Sequence, residues 1–196
     1  MSRAGLLVLA GGGHSHAIVL KRWAMRPEQR PKQSIVLVNR SSAALYSGMV
    51  PGLIAGLYRR DELAIDLRQL CDRAGVAFVE AEITGLDPQQ KWLRLRDRPA
   101  LHFDWLSLDV GAVSRPSATG MPIKPLEASL TFLEREDPSD PKPLRVIGAG
   151  AAGLEVVFAL RRRWPQRALQ LQQRSGQLDP ALQQVLKQAR ITLIDD

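Results

Sequence analysis

The chain has 196 residues, 45% of them hydrophobic and 24% charged, which suits one or two compact domains and excludes a disordered or collagen-like polypeptide. Lysine and arginine outnumber aspartate and glutamate by 27 to 20, a formal charge of +7; the basic residues are scattered and no nucleic-acid motif accompanies them, so no nucleic-acid partner is expected. A single cysteine, Cys71, excludes an internal disulfide, a CxxC redox pair and a multi-cysteine metal site, and it fits a cytoplasmic protein.

Residues 5–10 form a short apolar run that ends in glycines and lacks a small-residue cleavage site, so it reads as a buried strand and not as a secretory signal. No run approaches the roughly 20 apolar residues of a membrane-spanning helix. Helical spacing over His14 to Met25 stops before Pro27, and Ser34 to Val38 is the next β-branched run. The stretch from Ser41 to Gly56, broken by glycine and proline, predicts a loop leading into a short helix. Asp61 to Ala74 predicts a helix with Asp61 as its N-cap and Gly75 as its stop.

Strand-like pieces follow at Val76 to Ala81, Glu82 to Leu86, Trp92 to Leu95 and Leu101 to Phe103, separated by residues 87–90 and 96–99. The later ones suggest a small antiparallel meander. Trp105 to Val110 then reads as a strand that returns to the main sheet and ends at Gly111. Residues 112–143 are proline-rich, with one short helix near Ala128 to Glu136, and read as an interdomain connection. From Leu144 the strand, glycine turn and helix begin again, followed by a helix over Pro180 to Gln188 and a strand over Ile191 to Ile194. The expected organisation is an α/β fold with a parallel sheet in residues 1–111, the connection, and a second nucleotide-binding unit in 144–196.

Both repeats carry a turn suited to a dinucleotide. Such a loop needs one glycine for the sharp bend, another so that backbone N–H groups reach a pyrophosphate, and a third for close helix–strand packing; the helix N-terminus adds its dipole. Gly11 and Gly13 meet the first two needs, but His16 stands where the third glycine belongs. Asn39-Arg40 replace the acidic residue that commonly binds the ribose. The second turn, Gly148-Ala149-Gly150-Ala151-Ala152-Gly153, has all three glycines, and Arg174 beyond the next strand suits a 2′-phosphate.

Two such turns flanking Tyr46-Ser47-Gly48-Met49-Val50-Pro51-Gly52 resemble the FAD-dependent pyridine nucleotide oxidoreductases. More narrowly, Gly-Gly-Gly-His-Ser-His with Tyr-Ser-Gly-Met resembles the NADH-dehydrogenase-like flavoprotein region fused to selenide, water dikinase. The resemblance implies an FAD/NAD(P)-binding Rossmann-like fold with FAD and NADH or NADPH as cofactors. It implies that Gly11, Gly12, Gly13 and His14 hold the FAD pyrophosphate, Asn39 and Arg40 the ribose, and Ile83 the adenine. Ser47, Gly48, Met49 and Pro51 would lie near the flavin ring, with Gly111 also at the flavin site. Gly148, Gly150, Gly153 and Arg174 would serve the nicotinamide nucleotide, and Glu155 would act catalytically there. Hydride would pass from reduced nicotinamide to flavin, and electrons to a small-molecule acceptor such as a quinone.

A complete doubly wound nicotinamide domain needs a second half beyond one strand–helix–strand unit, so the second unit is expected to be truncated, and a longer form, a fusion partner or a homo-oligomer is compatible with that. Peripheral membrane contact is expected only of a full-length form. No metal is expected, because His14 and His16, two apart on a helix, point away from each other. The competing reading is a non-catalytic nucleotide-binding or interaction module, which His16 and Asn39 favour.

Overall fold

The computed structural model describes residues 5–112, 120–173 and 178–195. They divide into two compact units: residues 5–46 with 64–112, and residues 47–63 with the described residues from 120 onward. The segment 47–63 therefore groups with the second repeat, whereas the sequence alone suggests that it continues the first.

In the first unit, β1 (Leu6–Ala10) leads through the glycine turn into α1 (His14–Met25), and β2 (Ser34–Asn39) lies parallel to β1. A short strand, β3 (Ala43–Leu45), follows and pairs antiparallel with Ala64 to Asp66. Residues 47–63, in the second unit, hold a 3₁₀ turn, α2 (Val50–Ile54) and a second 3₁₀ turn over Arg60–Leu63. Then come β4 (Ala64–Asp66), α3 (Leu67–Ala74) and β5 (Ala77–Glu80), which joins β2 in parallel. An antiparallel meander of β6 (Ile83–Asp87), β7 (Trp92–Leu95) and β8 (Arg98–His102) precedes β9 (Trp105–Leu108), which returns to pair with β1. The main sheet has the order β5-β2-β1-β9.

Strand alternation explains why β1 and the interior of β2, Ile35 to Val38, are apolar. Val8, Ala10, Val36 and Val38 pack on the meander through Leu93, Leu95 and Phe103. Their neighbours Leu9, Ile35 and Leu37 face Leu20 of α1 and Leu67 and Cys71 of α3. The sheet is thus buried on both faces, as a parallel sheet requires. Burial in this second layer pushes the Cys71 thiol up to about 12, so it behaves as a small apolar side chain.

Two boundaries differ most from the sequence reading. The helix expected over Asp61 to Ala74 begins only at Leu67: Ala64 to Asp66 pair with Ala43 to Leu45, and Asp66, not Asp61, caps the helix by accepting the Gln69 N–H at 2.9 Å. Tertiary pairing there overrides a helical apolar spacing, while Asp61 bonds Arg59 at the surface. The Gly75 stop stands, with φ of 63°. In the meander, β8 starts at Arg98 and so contains Pro99, which a spacer was expected to hold. The register slips there, between Leu95↔Arg98 and Leu93↔Leu101, and β8 is an edge strand, where a missing N–H is tolerated.

In the second unit, α4 (Leu126–Arg135) precedes β10 (Leu144–Ile147), α5 (Ala151–Arg163), β11 (Leu169–Gln173), α6 (Pro180–Gln188) and β12 (Ile191–Asp195). The three strands are parallel in the order β10-β11-β12. Val157 and Leu160 of α5, Leu169 and Leu171 of β11, and Leu186 of α6 are buried apolar residues of these elements. Among the described residues no helix is long and apolar enough to cross a membrane.

Candidate nucleotide sites

The two glycine turns are built alike. At the first, Gly11 takes a φ of 94° and its N–H bonds the Val38 carbonyl at 2.8 Å; at the second, Gly148 takes 104° and its N–H bonds the Gln172 carbonyl at 2.8 Å. A side chain at either position would be strained, since that backbone region favours glycine. Gly13 and Gly150 then stand as N-caps in extended conformation, each without a side chain to cap its helix. The first backbone N–H groups of α1 and α5 therefore face the carboxyl ends of their sheets, the arrangement that binds a phosphate.

The turns differ in how helix and strand are joined. Gly153 lies so close to the Gly148 carbonyl that a Cβ there would overlap the oxygen. His16 occupies the matching place in the first unit. It is buried, with Nδ1 at 2.6 Å from the Gly11 carbonyl oxygen and Nε2 at 2.8 Å from the Ser107 hydroxyl on β9. A carbonyl only accepts, so Nδ1 carries the proton, and in the neutral ring Nε2 accepts from Ser107. The imidazole supplies by hydrogen bonding the helix–strand junction that glycine supplies by contact. His16→Ala is expected to destabilise the protein by about 2–4 kcal/mol, because it opens a cavity and strands two polar groups; Ser107→Ala should cost about 1 kcal/mol. The shift of the urea midpoint at unchanged slope measures both.

Asn39, at the end of β2, also serves this turn. Its Oδ1 accepts the Gly12 N–H at 2.9 Å and its Nδ2 donates to the Ser41 carbonyl at 2.8 Å. These two bonds use one lone pair and one N–H of the amide. Arg40 is exposed beside it. His14, the first residue of α1, stacks on Tyr46 with ring centroids 4.8 Å apart. Ile83 is half-buried at the start of β6, and Gly111 turns the chain after β9 with a φ of 74°.

Sequence reasoning missed Asp109, just past β9. Its N–H bonds the Ala10 carbonyl at 2.8 Å, its carbonyl accepts the Gly13 N–H at 3.2 Å, and its carboxylate accepts the His16 N–H at 3.1 Å. The strand that supplies it returns to β1 after a meander, so no local spacing advertises the contact. An acidic residue at the end of a returning strand is the only signal.

The other expected site residues fall in the second unit. Ser47, Gly48 and Met49 form a 3₁₀ turn and Pro51 lies in the first turn of α2. Glu155 is exposed on α5, within two turns of its N-terminus. Arg174 lies outside the described residues. Among the described residues no cluster of acidic, histidine or cysteine side chains could hold a metal.

A parallel sheet with a glycine turn at the end of its first strand, repeated in a second unit, is a Rossmann-like α/β arrangement. No protein-family model matches the chain, and no curated protein matches it. Solved structures do. Reduced CoADR-RHD of Bacillus anthracis superposes with a TM-score of 0.77 at 18% identity, over 98% of this chain and 38% of that one. A ferredoxin reductase from Rhodopseudomonas palustris gives 0.75 at 19% identity, over 97% of this chain and 50% of that one. NDH2 from Plasmodium falciparum, solved in complex with NADH, gives 0.69 at 11% identity, over 98% and 48%. The chain thus spans half or less of each of these three structures.

Proposed function

We propose that the chain is the nucleotide-binding part of an FAD-dependent NAD(P)H oxidoreductase, with FAD at the first turn and NADH or NADPH at the second. The observation that carries this reading is the duplicated turn: Gly11 and Gly148 share one backbone conformation, and Gly13 and Gly150 leave helix N–H groups uncapped by their own side chains. The second turn leaves room for a diphosphate, since no described residue lies within 4 Å of where a Cβ at Gly150 would stand.

In this reading Gly11, Gly12, Gly13 and His14 hold the FAD diphosphate, Asn39 and Arg40 the ribose, and Ile83 the adenine through its backbone. Ser47, Gly48, Met49, Pro51 and Gly111 serve the flavin side. Gly148, Gly150, Gly153 and Arg174 serve the nicotinamide nucleotide, with Glu155 as the catalytic candidate. When both cofactors are bound, nicotinamide supplies hydride, flavin accepts it, and electrons go on to a small-molecule acceptor such as a quinone. The chain's own residues bind and orient. Helix N-termini meet the diphosphates, and Asn39 holds Gly12 so that the first turn keeps its shape.

The narrower likeness, to the NADH-dehydrogenase-like region fused to selenide, water dikinase, rests on Gly11 to His16 and Tyr46 to Met49, and with it go a cytoplasmic location and a fusion partner. Residues 112–143 join the two nucleotide units in this organisation. Reconstitution with FAD, followed by anaerobic NADH, tests the reading: bleaching of bound flavin is expected. Flavin that stays oxidised under NADH overturns the enzyme reading and leaves a binding module, a second reading favoured by the carboxylate already seated at α1.

A further inference from the structure

The two helix ends are not equivalent. Among the described residues nothing crowds the Cβ position of Gly150, whereas a Cβ at Gly13 would overlap the Asp109 carboxylate. That carboxylate accepts the N–H of His16, the third residue of α1, and so caps the helix in place of the absent Gly13 side chain. Its backbone is pinned on both sides, by Ala10 through its N–H and by Gly13 through its carbonyl. It stands at the carboxyl ends of β1 and β9, where the strand order reverses around β1 and where a doubly wound sheet binds its ligand.

We propose that Asp109 sets the affinity of the first turn for a dinucleotide by occupying the positive end of α1 with its own negative charge, so that FAD binds dissociably there. This rests on the reading of the first turn as the FAD site. A diphosphate brought to the same N-terminus meets a like charge and a helix end whose third N–H is already satisfied. The second turn has no such occupant among the described residues and lacks this penalty.

The test is FAD affinity, followed by flavin fluorescence, in wild type and Asp109→Asn at low and high salt. Asparagine keeps an oxygen for the His16 N–H and removes only the charge. Binding should tighten about tenfold at low salt, and the gain should shrink in high salt as the charge is screened. A merely structural cap would show no salt-dependent gain. Should Asp109→Asn fail to fold, Asp109→Ser, a shorter neutral acceptor, carries the same expectation. Equal or weaker FAD binding by the folded neutral variant overturns the inference and leaves the proposed function standing. No FAD binding by wild type or any variant overturns both.

Discussion

Gly153→Ala should unfold the second unit's helix–strand junction, while Gly150→Ala, three residues earlier, should leave it folded. The Gly153 Cβ would overlap the carbonyl oxygen of Gly148, a backbone atom that cannot rotate aside. Relief requires α5 to lift from β10, which would loosen the packing of Val157, Leu160 and Leu171, all buried. A loss of about 3 kcal/mol, the upper end of the range for overpacking, follows because the clash is with backbone. Gly150 has a φ of −74° and no described residue within 4 Å of its Cβ position, so alanine there adds no strain. It does place a methyl group where a diphosphate would approach the backbone. The expected pair of results is a lowered melting temperature with lost NAD(P)H binding for Gly153→Ala, and a near-native melting temperature with lost binding for Gly150→Ala. Tight NAD(P)H binding by a folded Gly150→Ala protein would remove the second turn from the candidate sites.

Much of this architecture was legible because its signals are local. Apolar runs ending in glycine marked β1 and β10, the helix after each turn showed its period, and Gly75 marked the end of α3. The meander was readable from spacing alone. What escaped depended on partners far along the chain. Ala64 to Asp66 look helical until Ala43 to Leu45 lie beside them, and Pro99 looks like a breaker until the edge position of β8 is known. The division of the chain was partly hidden too, since residues 47–63 leave the first unit and return.

The site was legible to the same degree. The glycines announced the turns, but the absence of a third glycine looked like a defect of the first. It is an exchange of one junction for another: His16 reaches the Gly11 carbonyl and Ser107, a residue 91 positions away. Asp109 was invisible for the same reason, being 93 positions from the N–H it caps. Asn39 looked only like a weakened ribose ligand, yet its side chain also fixes Gly12.

Arg167 is the second place where one substitution should cost most. Its side chain is 2% exposed, and its Nη2 lies 2.7 Å from a Glu136 carboxylate that is itself only 17% exposed. Nη1 donates to the Asp140 carbonyl, and the Asp140 carboxylate stands 3.6 Å from Nη2. The guanidinium thus fastens the stretch after α4 to the turn between α5 and β11, which a reading of 112–143 as mere connection does not anticipate. Its Nε has no partner among the described residues, so the group is already incompletely compensated. Arg167→Met would strand the Glu136 carboxylate and should cost about 3–5 kcal/mol, the range for breaking a buried pair. Glu136→Leu should also destabilise, because it leaves the buried guanidinium charged; arginine cannot shed its proton to adapt. Removing both charges, in Arg167→Met with Glu136→Leu, should recover a large part of the loss, since a buried pair replaced by apolar groups is often neutral. Urea unfolding of the four proteins closes the cycle. If the double variant is as unstable as the sum of the singles, Arg167 acts through its carbonyl bond to Asp140 and its packing, and the ion pair with Glu136 contributes nothing.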